Sequence, residues 1–70
     1  MVDHKTYKLV ELVGTSGDSF ASAVANGVSR AAKTLRNMDW FEVTELRGRV
    51  EKGKVSQYQV KIKVGFRLED

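Results

Sequence analysis

The sequence predicts an α+β fold in the order β-α-β-β, a three-stranded antiparallel sheet packed on one amphipathic helix. Three observations carry this expectation. Tyr58, Val60, Ile62, Val64, Phe66 and Leu68 alternate strictly with Gln57, Gln59, Lys61, Lys63, Gly65 and Arg67, the two-residue period of a strand with one covered face. Phe20, Val24, Gly27, Val28, Ala31, Leu35 and Met38 recur at three- and four-residue steps, the period of a helix with one apolar stripe. Between the last two strand-like segments, Glu51-Lys52-Gly53-Lys54 has the composition of a hairpin turn, with Gly53 free to take positive φ.

The first element runs from Thr6 to Val13, rich in Val, Leu and Tyr and too short for a stable helix, so it reads as a strand. Its apolar residues fall on both faces, Leu9 and Val13 on one and Val10 and Leu12 on the other, so both sides are expected to be covered. Gly14-Thr15-Ser16-Gly17-Asp18 breaks it, with Ser16 or Asp18 placed to cap the helix that follows. That helix is expected from Ser19 to about Met38, with Lys33 and Arg36 in its last turns, where cations suit the helix dipole. Its alanines allow a surface to approach closely.

Asp39-Trp40-Phe41-Glu42-Val43 opens a second strand that runs to about Val50. Its alternation slips, Phe41 and Val43 lying in one phase and Leu46 and Val50 in the other, which predicts a bulge near Glu45–Gly48. The third strand, Val55 to Leu68, folds back on the second as a hairpin. A right-handed crossover through the helix places the first strand beside the third, antiparallel, and leaves one sheet face open.

With no proline and no low-complexity stretch, residues 1–70 read as a single domain. A chain of 70 residues buries only roughly 60% of its unfolded surface, so it needs a further source of stability. The absence of cysteine excludes disulfides, Cys-zinc sites and thiol catalysis, and His4 alone cannot build a histidine metal cage. Oligomerisation remains, and the open sheet face, with Gln57, Gln59 and the arginines, is where partner chains or a ligand would go.

The 12 Lys+Arg against 9 Asp+Glu give +3, which favours anionic ligands but is far from a polybasic nucleic-acid arm. Apolar runs are too short to span a membrane, and the first eight residues, MVDHKTYK, lack the apolar segment of a signal peptide. A cytoplasmic location is therefore the expectation, with no membrane partner.

Enzyme chemistry finds little support. No Ser-His-Asp arrangement can be built on His4, and Glu42 and Glu45, three apart on a strand, are expected on opposite faces, where they cannot work as an acid–base pair. The Gly14–Asp18 loop precedes a helix and could offer N–H groups to phosphate, but it lacks the Walker ending and reads more simply as a turn. Asp3, Glu69 and Asp70 could gather a divalent ion, though charged chain ends account for them. Trp40 is the single tryptophan and, in the strand register, points away from Phe41 and Val43 toward the open face that bears Gln59. A stacking plate and a bidentate amide together suit a planar heteroaromatic ligand; an interface or core tryptophan with no ligand is the alternative. Arg47, Arg49, Lys61, Lys63 and Arg67 lie on the same hairpin and could meet an anionic phosphate or the carboxylates of neighbouring chains.

Taken together and in order, Val13-Gly14-Thr15-Ser16, Asp39-Trp40-Phe41-Glu42-Val43, Arg47-Gly48, Tyr58-Gln59-Val60 and Val64-Gly65-Phe66-Arg67-Leu68-Glu69 resemble the dodecins over essentially the whole chain. The resemblance implies a hollow homododecamer with trimer and twofold interfaces. It also implies binding of flavin, as FMN or riboflavin, in stacked pairs between symmetry-related tryptophans, for storage and buffering rather than turnover. Trp40 matches that tryptophan, and Gln59 matches the glutamine that hydrogen-bonds the flavin's pyrimidine edge. Arg47 and Arg67 match bacterial-type positions near the flavin and its phosphate-bearing tail. Arg49 occupies a position at which the family varies. Two other readings stay open: a scaffold or carrier for another anion such as coenzyme A, and a nucleic-acid-binding module that uses the basic strand face and Trp40 as a platform.

Overall fold

The computed structural model describes residues 4–69. Strand β1 (Tyr7–Ser16), helix α1 (Phe20–Ala31), β2 (Met38–Glu51) and β3 (Lys54–Arg67) follow in the expected order. The sheet order is β1-β3-β2, with both pairings antiparallel.

β1 is longer than the sequence suggests because β3 is long enough to keep pairing with it. Gly14 lies opposite Val60 and Ser16 opposite Tyr58, and both Gly14 and Ser16 are buried beneath the helix. The helix cap is consequently neither Ser16 nor Asp18. Ser19 takes the extended cap conformation and its hydroxyl accepts from the Ser22 N–H at 3.0 Å, while the Ser16 hydroxyl accepts from the Asp18 N–H at 2.9 Å and shapes the turn.

α1 ends at Ala31, well short of Met38. The N–H groups of Thr34 and Leu35 both return to the Ala31 carbonyl, at 3.1 and 2.9 Å, which closes the last turn. Asn37 takes a left-handed φ of 61°, and its carbonyl accepts from the Arg67 N–H at 3.0 Å, drawing the chain onto the edge of β3. Arg30, rather than Lys33 or Arg36, is the cation of the final turn. The last two apolar residues of the helical stripe therefore belong to the connection and to β2, where Met38 packs against the core.

That core is small. Ala23, Val60, Ile62 and Val64 are fully buried, with Leu12, Val24, Val28 and Met38 packed around them. Glycines let the helix backbone lie directly on β1: a Cβ on Gly14 would run into the Ala23 carbonyl, and one on Gly27 would sit 3.2 Å from the Gly14 Cα. The helix packs on β1 and β3, and β2 is exposed along its length.

Of the three register shifts between β2 and β3, the first falls at Asp39, between Met38 and Trp40, and the other two govern which way the hairpin residues beyond Val43 face. Thr44 is the extra residue where Val43 opposes Ile62 and Glu45 opposes Lys61, and its hydroxyl donates to the Lys61 carbonyl at 3.1 Å. Ser56 is the extra residue on β3 where Arg49 opposes Gln57 and Val50 opposes Val55, and its hydroxyl donates to the Arg49 carbonyl at 3.3 Å. In each case a side chain occupies a carbonyl at the disrupted ladder. The Thr44 bulge thus lies at the edge of Glu45–Gly48, near which one was expected, and the Ser56 bulge lies beyond its other end. Gly48 has another role: a Cβ there would lie 2.7 Å from the Gln57 carbonyl oxygen.

The Thr44 bulge returns Leu46 to the side of Phe41 and Val43, and it corrects a second expectation. Glu42 and Glu45 oppose Lys63 and Lys61, so they share the open face instead of facing opposite ways. The turn itself is as expected, with positive φ at Lys52 (52°) and Gly53 (75°), the backbone of a two-residue type I′ hairpin.

The molecule measures 59 × 21 × 14 Å, and its radius of gyration of 14.8 Å exceeds the roughly 11 Å of a compact chain of this length. The long hairpin projects beyond the helix. It leaves Phe41, Val43 and Leu46 about half exposed on the helix side, and Leu9 and Val13 similarly exposed on the other. The expected cover on both sides of β1 is therefore present on one side only within the protomer.

Candidate ligand site on the open sheet face

The strand register sorts the open face into two clusters. At the end near the chain termini, Trp40 opposes Gly65, which in turn opposes Leu9, and Tyr7 opposes Arg67. Trp40 does point away from Phe41 and Val43, as the alternation predicts. Its six-membered ring lies flat over Gly65, where a Cβ would come within 2.6 Å of the ring carbon Cη2. Tyr7 braces the indole edge-on, with ring centroids 4.9 Å apart and an interplanar angle of 64°. With its indole seated on backbone and braced at one edge, Trp40 remains 42% exposed. A flat aromatic surface held in place and open to solvent is a stacking plate.

Next to it, Lys5, Tyr7, Asn37, Met38, Asp39 and Arg67 line a polar pocket of about 250 Å³. Two cations against one carboxylate suit it to an anionic group near the indole.

The second cluster lies six residues further along β3. Arg47 opposes Gln59 across the strands, and its Nε donates to the Gln59 Oε1 at 3.1 Å. The Arg47 Nη1 donates to the Glu45 Oε1 at 3.3 Å, and the Gln59 Nε2 donates to the Gln57 Oε1 at 2.7 Å. Four side chains thereby form one hydrogen-bonded row, Glu45–Arg47–Gln59–Gln57, with the two glutamines half-buried.

Sequence reasoning places Trp40, Gln59, Arg47 and Arg67 on one face, and the register agrees. The face is long, however. At about 3.3 Å per residue, the six-residue offset puts Gln59 roughly 20 Å from the strand position under Trp40. Arg67 accompanies Trp40 and Arg47 accompanies Gln59; no single protomer brings all four together. Gly65 and Tyr7 are members of the site that sequence reasoning misses. A glycine interrupting an otherwise alternating strand is the signal that could have found Gly65.

Between the clusters the face is mixed in sign. Glu42 and Glu11 both oppose Lys63, Glu45 opposes Lys61, and the Lys61 Nζ lies 3.7 Å from the Glu11 carboxylate. Carboxylates interleaved with the cations break up the basic stripe on which nucleic-acid binding would depend.

The remaining candidates are plain to place. Gly14, Thr15 and Ser16 belong to β1, with Gly14 and Ser16 buried, so only Gly17 and Asp18 are left to the bend before the helix and the segment is not an open phosphate cradle. Asp3 and Asp70 lie outside the described residues, while the Glu69 carboxylate accepts from the Asn37 amide at 3.2 Å. Among the described residues, no group of three acidic or histidine side chains is arranged to hold a metal ion, and no helix is long and apolar enough to cross a membrane.

The Dodecin family model matches residues 6–69. A dodecin of Thermus thermophilus is 53% identical over 66 residues, covering 94% of this chain and 96% of its own. The solved dodecin of Streptomyces coelicolor superposes with a TM-score of 0.94 at 52% identity, covering 99% of both chains. That of Streptomyces davaonensis gives 0.93 at 46% identity, over 97% of this chain and 100% of its own.

Proposed function

The chain belongs to the dodecin family, and on that premise we propose that it binds flavins, riboflavin or FMN, in stacked pairs and stores them without turning them over. The observation that carries this reading is the Trp40 indole, laid flat on Gly65 and exposed on its outer side. An isoalloxazine ring stacked there gains dispersion and apolar burial across its whole face. An indole in van der Waals contact also quenches an excited flavin by electron transfer, so storage and photoprotection follow from one contact.

Gln59 supplies selectivity, since its amide offers a donor and an acceptor to the pyrimidine edge. Because Trp40 and Gln59 stand roughly 20 Å apart on one sheet, a flavin that touches both takes them from two copies of the chain. A twofold axis between facing open sheets meets that need, for it carries the Trp40 end of one protomer to the Gln59 end of another. It also brings two indoles together around two flavins. The pocket lined by Lys5 and Arg67 receives the phosphate when the ligand is FMN. Half-exposed Phe41, Val43 and Leu46 supply a further apolar contact surface between copies, in keeping with a homododecamer. We read the protein as a binding protein and not an enzyme: its face offers stacking and hydrogen-bonding groups, and Glu42 and Glu45 stand opposite lysines.

The test is a flavin fluorescence-quenching titration with riboflavin and FMN in about 0.5 M salt, which screens surface charge, on wild type and Trp40→Ala. Saturable quenching at about one flavin per chain, weakened at least tenfold by the substitution, is expected. Absence of quenching by either flavin would sink the reading and turn attention to a carrier of another anion, coenzyme A among them.

A further inference from the structure

We infer that Gln57 is a positioning residue that sets which way the Gln59 amide faces, and so sets the site's preference for a ring edge with an N–H beside a carbonyl. The inference rests on the flavin reading above but concerns a residue outside its contacts. A primary amide can be flipped end for end, and a flipped Gln59 would present its groups to a ligand in the reverse order. In this structure both ends of that amide are held. The Arg47 Nε donates to Oε1 at 3.1 Å, and a guanidinium has no acceptor, so the oxygen must face Arg47. The Nε2 donates to the Gln57 Oε1 at 2.7 Å, the shortest of the three bonds in the row. Arg47 is itself held by Glu45 at 3.3 Å.

The remaining capacity of the amide is then defined. Gln59 has one lone pair on Oε1 and one N–H on Nε2 left over, an acceptor and a donor for the N–H and carbonyl of a cyclic imide or lactam edge. Gln57 also spares the ligand part of the ordering entropy, since the amide is locked before binding.

The experiment compares wild type, Gln57→Leu and Gln57→Glu, titrated with riboflavin and with 3-methylriboflavin, which lacks the N3 proton. Leucine removes the acceptor at similar volume; glutamate keeps it. Wild type is expected to prefer riboflavin. Gln57→Leu should bind riboflavin about tenfold more weakly and 3-methylriboflavin within about twofold of wild type, and Gln57→Glu should restore the preference. An unchanged ratio in Gln57→Leu would overturn the inference, as would an equal fall for both ligands, which marks a merely structural role. A ligand-free readout separates this from the flavin reading. The Gln59 side-chain amide protons, assigned by their loss in Gln59→Leu, should exchange with water more slowly in wild type and Gln57→Glu than in Gln57→Leu. If wild type quenched no flavin, the flavin reading would fall, and equal exchange in the three proteins would overturn the positioning role on its own.

Discussion

At the scale of single residues, the site depends on one side chain that is present and one that is missing. Trp40 provides the aromatic surface, but Gly65 decides how it lies, because any Cβ at that position would occupy the space of the indole ring. Gly65→Ala should therefore tilt Trp40 off the sheet and weaken flavin binding at least tenfold, about 1.4 kcal/mol, with the far-ultraviolet circular dichroism unchanged. Unaltered affinity would mean that the indole's seat on the sheet is immaterial. Trp40's outward direction was legible in the sequence because it follows from alternation with Phe41 and Val43. Its seat on Gly65, its brace against Tyr7 and the Glu45–Arg47–Gln59–Gln57 row were not, because each needs the register between strands. A bulge decides that register, and nothing about Thr44 itself announces one.

At the scale of elements, alternation and helical period gave the right number, type and order of segments, and the pairing of β1 with β3. The boundaries that failed did so for tertiary reasons. The apolar stripe through Leu35 and Met38 keeps helical spacing, yet Asn37 bonds the Arg67 N–H and commits the chain to the sheet. β1 extends past its expected end because β3 continues to offer it partners as far as Tyr58. The Thr44 bulge keeps Phe41, Val43 and Leu46 together on the helix side of β2, where the protomer leaves them uncovered. A charge introduced there should act on association and not on the fold of the chain. Leu46→Asp, at a residue 59% exposed, is expected to shift the protein in size-exclusion chromatography from a large oligomer to smaller species. Elution unchanged from wild type would show that this stripe is not an interface.

At the scale of the whole molecule, the protomer is a plate 59 Å long over a core of four fully buried residues. Such a shape leaves apolar surface on both faces, and association is the economical way to cover it. Oligomerisation is the expectation from small size and the lack of any other staple, and the extended form leaves apolar surface on which such contacts would form. The same length separates the stacking plate from the amide, so the proposed function requires assembly: a flavin that touches both residues would bind only where two copies meet. The most direct test is a quenching titration of protein co-assembled from equal amounts of Trp40→Ala and Gln59→Ala chains. Each variant alone should bind riboflavin weakly. In mixed twofold pairs one of the two sites regains both an intact Trp40 and an intact Gln59, so about a quarter of all sites should recover wild-type affinity on random pairing. A titration equal to the sum of the two weak ones would contradict the shared site and return both residues to a single chain.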